Sequence, residues 1–362
     1  MIQAKQNNYK TYKIKMNKNI KISIIIVIAL SIAAGVLALQ SCKKESEIVN
    51  NFDNTIKLVN LYPDNQTEYP IKTTSVTMLS FASVEHYEAT ITSLKNQLEQ
   101  YLDAFVEPYK NLSFDSLNLM MEQMNFNPDQ PIINFLQHYG ITSSMYLDYV
   151  NYENNWLSNS ELVMEGCPQD AFPFAAVEMS LLNANGEVKI GNNILKLTSE
   201  GFVYIKSLDV VTLIRIDNGD MDALYEPTVT TNLLDKGKGT CTSWDHKNKP
   251  YEYASDKKVA MHVHFHSYPW KGSAEAEITS YHKKNGSWKK YSINMKVVLE
   301  AYFRDKDCSG RLNLLPPPKS KDTKSLSVSA SSWGAFPQYR AEKGFSINGT
   351  FSFAGQQYFL TL

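Results

Sequence analysis

The stretch AMHVHFHS, residues 260–267, places His262, His264 and His266 at alternate positions. Alternation puts the three imidazoles on one side of a β-strand and Met261, Val263 and Phe265 on the other. Imidazole nitrogens are common zinc ligands, so the first chemistry to consider is metal-assisted hydrolysis. Four residues at ~3.3 Å each separate His262 from His266 by ~13 Å, too far for one zinc ion with its nitrogens ~2.1 Å away. An adjacent pair is within reach of one ion. Closing SYPWKG as a short hairpin, with Pro269 and Trp270 at its tip, sets Glu277 opposite His262 and Glu275 opposite His264. Those carboxylates would complete a His-His-Glu set. The same register lays Val263 and Phe265 beside Ala276 and Ala274, an apolar face for the core. The face carrying His262, His264, Glu275 and Glu277 is then expected to meet solvent, where cross-strand pairs contribute roughly 0.2 to 1 kcal/mol. Surface pairing is the simpler reading of these four residues, and zinc the sharper one.

Other chemistry has fewer carriers. No G-x-S-x-G elbow, H-E-x-x-H helix or G-x-G-x-x-G loop occurs, and the acids are too many for two of them to be named as a glycosidase pair. No catalytic residue is assigned. Asp217, Asp220 and Asp222 offer clustered oxygens, but their spacing is not that of an EF-hand loop, and Asn218-Gly219 reads more simply as a hairpin turn between solvated acids. Five tryptophans and 21 tyrosines offer platforms for sugar rings. Trp270 at the hairpin tip, with Trp244, is the candidate ligand-binding pair.

The elements that must position these residues fall into two parts. Val84, Tyr87, Ile91, Leu94, Leu98, Tyr101 and Phe105 recur at steps of three and four, an amphipathic helix that Pro108 ends. Helical patterns follow at residues 115–126, 129–139 and 144–157. After Cys167 the pattern turns to strands, with Asn185-Gly186 and Asn192-Asn193 as hairpin dipeptides. Ile293, Met295, Val297, Leu299, Ala301 and Phe303 then alternate with polar residues along a long half-buried strand. PPPKSKDTKS is read as a loop, and short strands follow around 326–330, 344–353 and 357–362. The expected fold is α+β, a helix-rich N-terminal part with β hairpins (56–235) followed by an antiparallel sandwich or jelly-roll (236–362).

The segment MNKNIKISIIIVIALSIAAGVLALQSCKKESE resembles a bacterial lipoprotein signal peptide. Lys18 and Lys21 form its basic region, Ile22 to Leu39 its apolar run, and Leu39-Gln40-Ser41-Cys42 its lipobox, with Gln40 an unusual occupant. The resemblance implies acylation of the Cys42 thiol and cleavage before it, which makes 1–41 the signal and 42–55 a tether; a retained transmembrane helix is the alternative. Lys43-Lys44-Glu45-Ser46-Glu47 resembles the tether of surface-exposed Bacteroidota lipoproteins. LSFASVEHYEATITSL and the LLN-x-x-GE-x-x-IG stretch resemble a pattern in uncharacterised lipoproteins of the same group. These resemblances imply an outer-membrane anchor facing the cell exterior, or else the periplasm.

Residues 1–41 hold six lysines and no acid, so their removal takes the formal net charge from −1 to −7. An acidic chain without basic blocks excludes nucleic acid as a partner. In an oxidising compartment, Cys241 and Cys308, both in polar turn-like stretches near strands, are the expected disulfide, with Cys167 a buried free thiol. Together these readings describe a lipid-anchored surface protein with a binding role toward a glycan or protein ligand, or a structural role. The alternative is a surface hydrolase acting on glycan or peptide, with zinc on the His262/His264 face.

Overall fold

In the computed structural model, the described residues are 53–62, 77–159, 167–172, 174–198, 201–231, 241–305, 307–333, 339–342, 344 and 346–362. The signal segment 1–41, Cys42 and most of the tether lie outside them. The chain is α+β. It opens with β1 (Lys57–Asn60) and β2 (Thr77–Phe81). Six helices lead toward the next strand: α1 (Val84–Val106), α2 (Phe114–Gln123), α3 (Gln130–His138), α4 (Met145–Ser158), α5 (Pro168–Ala171) and α6 (Ala176–Leu181). Then come β3 (Glu187–Ile190), β4 (Asn193–Thr198), β5 (Gly201–Lys206), α7 (Val210–Asp217) and β6 (Val229–Thr231). Strands β1 to β6 pair in sequence order as one sheet, antiparallel except for β2 with β3.

The remainder is β: β7 (Cys241–Thr242), β8 (Trp244–Ala254), β9 (Lys257–Ser267), β10 (Lys271–Lys284), β11 (Ser287–Lys290), β12 (Ile293–Phe303), β13 (Leu312–Leu314), β14 (Lys319–Thr323), β15 (Ser325–Trp333), β16 (Ala341–Glu342), β17 (Ile347–Phe353) and β18 (Gln356–Thr361). One sheet runs β11-β10-β9-β8 with β15 also on β10; the other runs β13-β12-β17-β18 with β14 also on β12. Their inner faces meet as a sandwich, where Val263, Phe265 and Ala276 pack against Met295, Val297, Leu299 and Phe351. The two sheets approach closely at Gly349, where a Cβ would lie 2.7 Å from Val263 Cγ1, so only glycine fits.

Local signals explain the helices. Ser83 accepts from the His86 N–H at the start of α1, and Tyr87, Ile91, Leu94, Tyr101 and Phe105 from the predicted stripe are buried. Three sequence expectations are corrected. Val210–Asp217 is a helix: Asp209 caps it by accepting from the Thr212 N–H, and Gly219 follows at φ 83°. Its Asn218-Gly219 is therefore a C-terminal cap and not a hairpin turn, and Asp217 is buried rather than solvated. Lys319–Thr323, within the expected loop, pairs with β12 as a strand. Asn185-Gly186 connects α6 to β3, while the β3–β4 turn falls at Gly191-Asn192.

Residues Phe52–Leu362 form one compact unit. Within it, the helices cover the outer face of the β8–β11/β15 sheet, and the chemistry of that covered face decides what the protein can do.

Candidate functional site

The expected register is present. Glu277 pairs with His262, Glu275 with His264, and Ala276 and Ala274 with Val263 and Phe265. Directly opposed residues of an antiparallel sheet share a face, so the outer face is a grid of four-residue rows. Trp244, His266, Ser273 and Ser331 make one; His246, His264, Glu275 and Ser329 the next; Asn248, His262, Glu277 and Ser327 the third. The expectation of a wet face fails at the histidines. His262, His264 and His266 are only 3%, 2% and 1% exposed, because the helical part lies over them. Phe174 stacks on His266 with ring centroids 4.4 Å apart, and Lys95 of α1 reaches down to Glu275 at 3.7 Å and Glu178 at 3.8 Å.

Burial forces the histidines to satisfy one another. His262 Nε2 and His264 Nδ1 are 2.8 Å apart, and His262 Nδ1 meets Asn248 Oδ1. Asp170 can only accept, so Asn248 donates its Nδ2 to that carboxylate and turns its oxygen to His262. His262 therefore carries its proton on Nδ1 and accepts from His264 Nδ1–H through Nε2. Burial, then His264 and His246, push His262 well below its ordinary pKa; burial also lowers His264, although Glu275 and Glu178 pull the other way. The lone pair with which His262 Nε2 would bind zinc is thus used on its neighbour. Among the described residues, no group of three or more His, Cys, Asp or Glu is placed to hold a metal ion.

The other half of the grid is open. A cleft of about 750 Å³ runs over β10 and β15. Its floor is Ser273, Glu275 and Glu277 with Ser327, Ser329 and Ser331, and α1 and the 175–178 segment form a wall. Ion pairs from Glu99 to Lys319 at 3.7 Å and from Asp103 to Lys321 tie α1 to β14 across the cleft. The two floor carboxyls differ. Burial and then the Glu275 charge push Glu277 up to about 7, against a 2.6 Å hydrogen bond from Ser325 Oγ. Burial is the largest influence on Glu275 and raises it, but Lys95, His264, a hydrogen bond with Ser327 and Lys319 together hold this carboxyl below its usual value. Glu277 is thus poised to titrate near neutrality, while Glu275 on the same strand face stays below the usual carboxylate range.

Trp270 is not a tip platform. It is 9% exposed, donates Nε1–H to Glu88 Oε1 at 2.9 Å and packs with Tyr87 and Tyr204. Trp244 is half-buried against Phe174 and His266. The tryptophan left 50% exposed is Trp333, which shares the outer face of β15 with Ser327, Ser329 and Ser331 and lies opposite Lys271, a cleft residue. The signal for that row was the serine at each outward position of SLSVSASSW before its final Trp333. Cys241 and Cys308 are bonded, with Cα atoms 6.1 Å apart. Peptide mapping of unreduced protein is expected to recover their two peptides joined, and a free thiol at either position would contradict it. Cys167 is buried, and burial pushes its thiol up to about 12, which suits a core residue and not a nucleophile.

The chain matches no protein-family model and no curated relative. Among solved structures it is similar to a DUF4848 family protein from Bacteroides thetaiotaomicron, at 13% identity over 78% of this chain and 95% of that one. The TM-score is 0.15, which carries no argument about fold or function.

Proposed function

We infer that this is a lipid-anchored protein of the outer membrane, facing the cell exterior, that binds a glycan in the cleft between α1 and the sandwich. The binding reading is carried by the β10–β15 floor, where hydroxyls and carboxyls repeat at strand period along the cleft, and the exposed Trp333 stands two residues beyond Ser331 on the same face of β15. A linear polyhydroxylated chain needs donors and acceptors at regular intervals plus an apolar ring face to stack on. The anchor reading is supported by the basic, apolar and lipobox run ending at Cys42. Among the described residues no helix is long and apolar enough to cross a membrane.

A hydrolase is the second reading, favoured by one observation: Glu275 and Glu277 both line the cleft floor. Two measurements test the main reading. Cys42→Ser is expected to abolish incorporation of labelled fatty acid and leave the signal uncut, since only the thiol is acylated; normal labelling would remove the anchor. Protease added to intact cells should degrade the protein if it faces outward, and full protection would place it on the periplasmic side.

A further inference from the structure

Strand β15 lies at an edge: among the described residues it pairs with β10 alone. The Ser280 N–H donates to the Lys324 carbonyl at 2.9 Å, which makes 280 and 324 a hydrogen-bonded pair in the β10–β15 register. Such pairs alternate with non-bonded ones along an antiparallel ladder, so Leu326, Val328 and Ala330 bond to β10, while Ser325, Ser327, Ser329 and Ser331 turn their N–H and C=O groups away from it. Thr323 Oγ1 meets both groups of Ser325. No other described residue takes the outward main-chain groups of Ser327, Ser329 and Ser331. Leu326 packs into the sandwich core yet also lines the cleft, together with Lys319, Lys321 and Lys324, so the cleft reaches round the side of β15 to this free row. Nothing in SLSVSASSW blunts the edge, whereas β8 at the opposite edge of the sheet carries Lys247, Lys249 and Pro250.

An extended peptide matches such a row, because its main-chain donors and acceptors repeat every two residues, ~7 Å, as those of β15 do. The lysines beside the edge set its charge. Lys95, Lys271 and Lys290 are held by buried carboxylates, Glu275 with Glu178, Glu88 and Glu153. Lys319 and Lys321 reach past the edge only to Glu99 and Asp103 on the exposed side of α1, surface pairs of little strength that a ligand's carboxylates can replace. Lys324 forms no ion pair with a described carboxylate, its neighbours Asp129 and Glu122 standing beyond that reach. We propose that an extended acidic peptide adds to β15 as a further strand of the β8–β11/β15 sheet, its carboxylates meeting Lys319, Lys321 and Lys324. This goes beyond the glycan reading, which uses the outward side chains of the floor and not the main chain at its side.

The full-length chain in detergent is titrated with an end-blocked hexapeptide alternating Val and Glu, with its Val/Lys counterpart, and with an oligogalacturonate of equal charge. Two further Val/Glu peptides are N-methylated at every Val or at every Glu. Wild type is expected to bind the Val/Glu peptide at least about tenfold more tightly than the Val/Lys one, with affinity falling as salt rises. N-methylation in the phase that faces β15 should weaken binding by about tenfold or more, and in the other phase much less, because only one phase supplies donors to the edge. Ser329→Pro removes an N–H that β10 does not use, a change an edge strand tolerates, so it should lose the peptide to a similar extent while melting near wild type. If that variant does not fold, the two N-methylated phases decide. No binding of the Val/Glu peptide, equal loss in both phases, or oligogalacturonate bound as tightly as the peptide would overturn strand addition, and equal affinity for the Val/Lys peptide would overturn the role of the lysines. Neutral cello- and xylo-oligosaccharides titrated in parallel test the glycan reading by itself, whatever the peptides do.

Discussion

Replacing Lys196 with methionine is expected to cost about 3–5 kcal/mol, the range for removing one member of a buried ion pair. Lys196 reaches Glu187 Oε1 at 3.2 Å and Asp217, in a pocket where the three side chains are 8%, 0% and 5% exposed. The Tyr62 hydroxyl lies 2.7 Å from Glu187 and 2.8 Å from Asp217. A hydroxyl has one proton, so both contacts are good hydrogen bonds only if one carboxyl is protonated and donates to the Tyr62 oxygen. Burial, and then Asp217, push Glu187 up, against Lys196. One charge on the carboxyls therefore balances one on the lysine. Methionine leaves the buried carboxyl charge without its partner. Asp217→Asn should cost about 1 kcal/mol or less, because the amide offers Lys196 an acceptor and Tyr62 a donor. Urea unfolding of the three proteins checks this, and a methionine variant within 1 kcal/mol of wild type would show that the cluster is not held by charge.

In the sequence, Asp217, Asp220 and Asp222 read as solvated acids around a turn because Asn218-Gly219 is a dipeptide favoured in hairpins. The cap signals that make it a helix were present: Asp209 before the run and Gly219 after it. A helix turns Asp217 inward toward Lys196 of β4, a contact between residues 21 apart that no local pattern contains. The long helix α1 and strand β12 were legible because each carries its period over many residues, and burial alternates along Ile293–Phe303 as the sequence does.

Register and sidedness were legible to different degrees. The β9–β10 pairing follows from the turn and the apolar alternation, so Glu275 opposite His264 and Glu277 opposite His262 could be read directly. What covers the polar face could not, because the cover comes from Lys95, Glu178 and Phe174, far away in sequence. A period of two says which residues share a face but not whether that face is wet. The composition held a clue, since an exposed strand face favours Lys, Glu and Thr, while this one carries three histidines in a row. The burial of Trp270 has the same origin: its hairpin tip inserts beneath α1, where Glu88 also accepts from Lys271 at 2.7 Å.

Burial turns the histidines from bystanders into a pH-dependent element of stability. Neutral His262 and His264 are bonded to each other and to Asn248, and replacing both with glutamine at pH 7.5 is expected to cost about 2–3 kcal/mol, the range for leaving buried polar groups unpaired. A wet face would cost about 1 kcal/mol or less. Both histidines have folded pKa values below the unfolded 6.5, so below that pH the unfolded chain binds protons the folded one refuses. Their contribution is therefore present above about 6.5 and lost as pH falls, by up to about 1.4 kcal/mol per pH unit for each histidine. Glu277, raised to about 7 from 4.5, has the opposite sign: its contribution is present below 4.5 and lost as pH climbs through 7. Wild type alone would mix the two trends. The gap between wild type and His262→Gln/His264→Gln cancels Glu277 and isolates the imidazoles, so it should narrow between pH 7 and 5.5 and disappear or reverse below that. Urea titrations at pH 7.5, 6.5 and 5.5 give the gap directly; one that stays constant, or never exceeds 1 kcal/mol, would mean that water reaches these rings and that the helical layer does not seal the sheet.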